Sequence, residues 1–233
     1  MTSAASHTRL RYDDLGYLLN LQTGDEKHDA SGSSTLDVLW VLYDRVLDVA
    51  PDRISDPARD RFVLSKGHGP MAYYAVLAAK GFLPVEWLTR FGEWDSPLGH
   101  HPDRALVPGV EVSSGSLGHG LPIATGIALG LRAQGIGSRV VCLVGDGELD
   151  EGSNAEAIVV ASRLGLEALT VVAIDNDSSS LRWPGGIDQR FAVEGWQTRN
   201  VDGRDHDKLA VALSAQAVGT PTLVVAHIEP TEE

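Results

Sequence analysis

The chain has 233 residues, 43% hydrophobic and 22% charged, enough for one large domain with a sizeable core and short for two. Asp and Glu total 32 against 19 Lys and Arg, and the formal charge of -13 opposes non-specific binding to nucleic acid or an anionic membrane surface. One cysteine, Cys142, excludes an internal disulfide framework. No run of 18 apolar residues spans a bilayer, and MTSAASHTRLRYDDLG carries no apolar signal core, so a cytoplasmic location is expected.

In chain order, residues 1–24 are polar and mixed, which predicts a loose arm and a short helix over 12–21. Leu36, Val38, Leu39, Val41, Leu42, Val46 and Leu47 recur at helical spacing and predict a helix over 35–49, closed by Pro51. RFVLS (61–65) reads as a short buried strand, followed by the loop KGHGP and a helix over 71–80. Residues 82–110, rich in His, Pro and Gly, read as irregular. GSLGHG (115–120) then leads into a helix over 122–133. RVVCLVGDG (139–147) and LTVVAIDND (169–177) are continuous apolar runs, as parallel strands covered on both faces require, with a helix over 153–164 between them. VDGRD (201–205) after a short run, and TPTLVVAHI (220–228), form a later pair flanking a helix over 207–217, and complete an open, doubly wound, mostly parallel α/β sheet with helices on both faces. The expected organisation is an arm and short helix (1–24), one domain (25–228) and a tail (229–233).

Ligands of such sheets sit at the carboxyl ends of the strands. Gly145-Asp146-Gly147 ends one central run and Asp175-Asn176-Asp177 the next, so Asp146 and Asn176 can offer carboxylate and amide oxygens to one hard cation such as Mg2+. The glycines let backbone amides approach an anion. Taken singly, each motif also reads as an ordinary loop after a strand.

GDG with an asparagine thirty residues after its aspartate resembles the thiamine-diphosphate-binding motif. GDGELDEGSNAEA with IDNDSS, LSKGHGPMAYYAVLAAKGF, HPDRALVPGVEVSSGSLGHGLPIATGIALG and EGWQTRNVDGRDHDKLAVAL resemble transketolase, in that family's order, over roughly residues 15–228. The likeness is best to the separately encoded N-terminal halves of the family. It implies Mg2+ ligation by Asp146, Asn176 and the Ser178 carbonyl. It also implies diphosphate contacts from His68 and the Gly147 amide, and a Gly115-Ser116-Leu117 turn lining the cofactor, with the Leu117 carbonyl accepting from the pyrimidine amino group. His28 and His101 match positions that face substrate and assist proton transfer; Glu151 and Glu156 match acidic positions that couple paired sites near the subunit junction.

Duller roles stand beside these. His68 also reads as a cap of the following helix, and Glu156 as a favourable charge at a helix start. His101 has His100 where the family has glycine, and EKHDASGSSTLD around His28 departs from the family pattern. His119, where the family has glutamine, reads as local loop support; Arg182, Trp183 and His206 read as surface or packing, and Cys142 as buried and inert.

The resemblance also implies a partner. The glutamate that protonates the pyrimidine ring belongs to a pyrimidine-binding domain that these residues do not contain, and a further family histidine after the last strand is missing. The expected protein is the N-terminal subunit of a two-component transketolase-like enzyme, in a heterotetramer with a C-terminal subunit carrying that domain and glutamate. It would move a two-carbon ketol unit from a ketose, often phosphorylated, to an aldose with Mg2+ and thiamine diphosphate. The alternatives are a split thiamine enzyme of a specialised biosynthetic pathway, with an unusual acceptor, and a non-catalytic regulatory or degenerate subunit.

Overall fold

The structure, a computed structural model, describes residues 10–22, 29–180 and 183–228. The apolar runs become strands β1 (Arg61–Leu64), β2 (Val140–Gly145) and β3 (Leu169–Asp175), followed by β4 (Gln197–Asp202) and β5 (Thr222–His227). All pair in parallel, in the spatial order β1-β2-β3-β5-β4. All six positions of β2 are buried, which is why its sequence shows no polar alternation.

Successive strand side chains point to opposite faces, and each face has its own core. Phe62, Leu64, Val141, Leu143, Val172 and Val224 pack with helices α1 (Leu15–Asn20), α2 (Asp29–Val41), α3 (Met71–Ala79) and, later in the chain, α7 (His206–Ser214). Val63, Val140, Cys142, Val144, Val171 and Leu223 pack with α4 (Gly120–Ala133), α5 (Gly152–Arg163) and α6 (Ile187–Ala192). Leu143 is fully buried between sheet and helices, so Leu143→Ala costs about 2–5 kcal/mol. Leu15 and Leu18 of α1 are buried too, so this short helix is part of the core.

Several boundaries differ from the sequence expectation. The helix predicted over 35–49 starts at Asp29 and ends at Val41, passing into a wider turn over Leu42–Val46. There the Leu47 amide reaches Leu42 O at 2.8 Å, and the Asp60 carboxylate captures the Asp48 amide at 3.0 Å, drawing the chain towards β1. Within the irregular stretch 82–110, Val85–Arg90 forms a 3-10 helix after Pro84. The last helix is shorter than expected: Asp205 accepts from the Lys208 amide at its start, and Ala215 is already extended. Helix α6 has no counterpart among the predicted elements, being six residues long with only Ile187 and Phe191 buried.

Candidate functional site at the carboxyl ends of the strands

The parallel register sets Leu64 beside Leu143 and Gly145 beside Ile174, so the loops after β1, β2 and β3 leave from one edge. Asp146 opens a 3-10 turn over Gly147–Asp150 and is 1% exposed. Its carboxylate is held on both oxygens. Oδ1 accepts from the Gly147 amide at 2.8 Å and from the Ser178 hydroxyl; Oδ2 accepts from the Ser178 amide at 2.6 Å and the Ser179 amide at 3.1 Å. The loop after β3 is thereby folded onto the loop after β2.

Asn176 lies in that loop, one residue beyond β3. Its Oδ1 is buried and accepts no hydrogen bond, an expensive state for an amide oxygen unless another ligand completes it. Asp177 follows at φ 59°, and the Ser178 carbonyl oxygen lies 3.4 Å from where a Gly147 side chain would begin. One carboxylate, one unsatisfied amide oxygen and one carbonyl form an oxygen donor set of the kind Mg2+ takes together with substrate or cofactor phosphates. No trio of His, Cys, Asp and Glu converges as a metal cluster among the described residues, so a softer transition-metal site has no counterpart there.

The KGHG loop forms the adjoining wall. Lys66 is half-buried, its stem against Gly145; burial pushes its ammonium below the ordinary lysine range, while Asp146 and Glu148 pull it back up. Such a cation beside Asp146 suits a cleft that receives a diphosphate. His68 does not cap α3, whose N-cap is Pro70 without a side-chain bond. Its ring instead meets His101 at 5.4 Å between centroids. His101 covers Gly115: at φ 123°, a side chain on Gly115 would fall on the His101 ring. Burial, and then the neighbouring His68 and His100, holds the His101 imidazole below its usual range. His68, His100 and His101 border a cavity of about 430 Å3 with Met71 and Phe91, His100 packing edge-on to Phe91 at 5.4 Å.

Residues 20–228 match the model of the transketolase thiamine diphosphate binding domain. The chain belongs to the transketolase family. It is 55% identical over 222 residues to a protein named ferredoxin fas2 from Rhodococcoides fascians, covering 95% of this chain and 73% of that one. It is 35% identical to one of the subunits of apulose-4-phosphate transketolase from Actinobacillus succinogenes, covering 90% of this chain and 79% of that protein. Transketolase from Leishmania mexicana superposes with a TM-score of 0.77 at 26% identity over 94% of this chain, which spans 36% of the length of that chain. The all-parallel sheet is therefore the transketolase thiamine-diphosphate-binding architecture, and the chain is a thiamine-diphosphate-dependent transferase subunit of that family.

Of the residues singled out from sequence, the transketolase fold brings His68, His101, Gly115, Asp146, Gly147, Asn176 and Ser178 to one edge of the sheet. Ser116 is exposed beside them and Leu117 half-buried. The Gly147 amide is committed to Asp146 Oδ1, so reaching a diphosphate requires it to exchange that partner. Glu151 is the N-cap of α5 and packs its Cβ under Gly118, while Glu156 is exposed in the helix's second turn, too far in for the terminal-charge role. His119 precedes α4 without capping it. His28 and Arg182 lie outside the described residues. Cys142 is buried in β2, and burial pushes its thiol well up. No helix among the described residues is long and apolar enough to cross a membrane.

Three groups escape a reading of the sequence. Lys66 is legible there only as a lysine between a buried strand and a glycine. Ser65 and Glu148 form a buried pair joining the loops after β1 and β2. His206, read as packing, joins Tyr12 and Arg204 around the buried Asp37 carboxylate at 2.6–2.7 Å.

Proposed function

We propose that this chain supplies the diphosphate- and Mg2+-binding half of a two-subunit transketolase-like enzyme that moves a two-carbon ketol unit from a ketose, often phosphorylated, to an aldose. The carrying observation is the buried, unsatisfied Asn176 Oδ1 in the same loop that the Asp146 carboxylate holds through Ser178 and Ser179. In the assembly Asp146, Asn176 and the Ser178 carbonyl hold Mg2+; His68 and the Gly147 amide bind diphosphate oxygens. Gly115, Ser116 and Leu117 line the ring, the Leu117 carbonyl accepting from the pyrimidine amino group. Thiamine diphosphate held by these residues would supply the nucleophilic carbon and the electron sink that ketol transfer requires. His101, held below its usual range, stands ready as a neutral base or hydrogen-bond acceptor for substrate hydroxyls, and His28 is assigned to the same face. Glu151 and Glu156 are assigned to the junction with the partner.

The relatives named as transketolase subunits support a partner, which we assign the pyrimidine-binding domain and its glutamate in a heterotetramer. A cytoplasmic location goes with this assignment. The name ferredoxin carried by one relative does not transfer to these residues, because an iron–sulfur cluster takes several thiolates and Cys142 is the single, buried cysteine.

The test is to purify the chain alone and together with the product of the adjacent reading frame, and to assay ketol transfer with Mg2+ and thiamine diphosphate. Turnover only from the pair supports the proposal. Full turnover by the chain alone, or no Mg2+-dependent cofactor binding by the pair, refutes it.

A further inference from the structure

Glu148 is a carboxylate in an unusual place, 3% exposed in the turn directly after GDG. Burying a carboxylate is costly unless donors converge on it. Here Oε1 accepts from the Gly118 amide at 2.9 Å and from the Ser65 hydroxyl, and Oε2 accepts from the Gly145 amide at 3.3 Å. The Glu148 carbonyl accepts from the fully buried Asn154 side chain at 2.7 Å, which fixes the turn to α5. Ser65 in turn accepts from the Gly120 amide at 3.0 Å. Ser65 and Glu148 are 83 residues apart, and the partners of their two side chains lie in three segments: the end of β1, the GSLGHG loop and the end of β2.

We propose that Glu148, seated on Ser65, is a positioning residue that pins the GSLGHG and GDG loops to the end of β1 before cofactor arrives. The residues assigned above to ring and diphosphate lie on those same loops: Gly115–Leu117 directly before Gly118, and Asp146 and Gly147 directly before Glu148. Glu148 itself, buried under them, acts only through them. Pre-ordered loops bind tighter because their ordering cost is met in folding. The placement of the cofactor on these loops rests on the function proposed above; the pinning itself does not.

The experiment compares E148A, E148Q and S65A in the full chain with two readouts. Residue-resolved amide hydrogen exchange without cofactor should show Gly118 exchanging at least about tenfold faster in E148A, as expected for a buried donor that loses its partner. Val224 and Val225 in mid-β5 should keep wild-type rates. E148Q, which retains an Oε1 acceptor for Gly118 and Ser65, should restore that protection, and S65A should release Gly120. Affinity for Mg2+-thiamine diphosphate, measured with the partner subunit, should fall about tenfold or more in E148A and recover in E148Q. Unchanged Gly118 exchange in E148A, acceleration shared equally by β5, or a loosened loop with unchanged affinity each overturns the proposal. Should E148A not fold, S65A and E148Q decide it by the same two measurements. D146A run alongside separates the two levels: wild-type cofactor affinity in D146A refutes the site assignment, while the exchange data still decide the pinning.

Discussion

Replacing Asp146 separates its role in holding loops from its role in holding a cation. In the native chain its two oxygens accept from the Gly147, Ser178 and Ser179 amides and from the Ser178 hydroxyl. Asp146→Ala leaves these donors without their acceptor. Ser178 is exposed, so water replaces part of what is lost, and the expected cost is about 1–3 kcal/mol rather than the sum of four bonds. For a chain of this size that is a fall in Tm of about 2–12 °C, which leaves the domain folded. Asp146→Asn is the finer probe. Its one oxygen serves the Ser178 and Ser179 amides, while its NH2 opposes the Gly147 amide, a loss of about 1 kcal/mol. It also removes the negative charge from the cation's ligand set. Loss of an outer partner of a metal ligand costs about 10–100-fold in affinity, so losing the anionic ligand should exceed about 100-fold. Calorimetric titration of thiamine diphosphate at varied Mg2+, with thermal denaturation in metal-free buffer, reads both effects. If the Asp146→Asn variant binds Mg2+-thiamine diphosphate as the native protein does, the metal site is refuted; unfolding of both variants would refute the stability reasoning.

Other outcomes are equally checkable. Because the folded His101 imidazole titrates below its ordinary value of about 6.5, the unfolded chain binds the proton first as pH falls. Stability therefore rises with pH between the lowered value and about 6.5, and H101N should flatten the slope of Tm over about pH 5–7; an unchanged slope contradicts this. Burial would raise the Asp37 carboxyl, but hydrogen bonds from Tyr12, Arg204 and His206 outweigh it and hold it low, so its contribution is complete above about pH 4 and is lost as pH falls through the lowered value. Asp37→Ala should cost about 2 kcal/mol in urea unfolding at pH 7, discounted because Arg204 is half-exposed. Gly118 has φ 83°, and a side chain there would begin 2.6 Å from Glu151 Cβ, so Gly118→Ala should lose about 2–3 kcal/mol by thermal unfolding and weaken cofactor binding.

The parts of the fold legible in the sequence are those where burial on two faces leaves only one residue class possible. Val140–Gly145 and Leu169–Asp175 are such segments, and their junctions with GDG and DND place the candidate metal ligands. The edge strand β4 shows in the sequence only as a short run before VDGRD, without bounds, because Val201 alone of QTRNVD is buried and pairing with β5 rather than its own pattern sets its extent. Helix α2 differs from its expected span at both ends: the apolar spacing continues past Val41, but capture of the Asp48 amide by Asp60 is a tertiary contact that no local pattern records. The site divides the same way. Asp146 and Asn176 can be read from a motif joined by one strand–helix–strand unit. Ser65 and Glu148 meet only after the sheet forms, and Asp37 sits among Leu36, Val38 and Leu39, where its partners Arg204 and His206 are more than 160 residues away. A carboxylate inside an apolar run is the one local signal that points to such a pair.

The most direct measurement is an anomalous diffraction experiment on the chain with its partner, thiamine diphosphate and Mn2+ in place of Mg2+. One anomalous peak is expected, within coordination distance of an Asp146 carboxylate oxygen, Asn176 Oδ1 and the Ser178 carbonyl. Cofactor bound in the crystal with no peak among those three oxygens would contradict it.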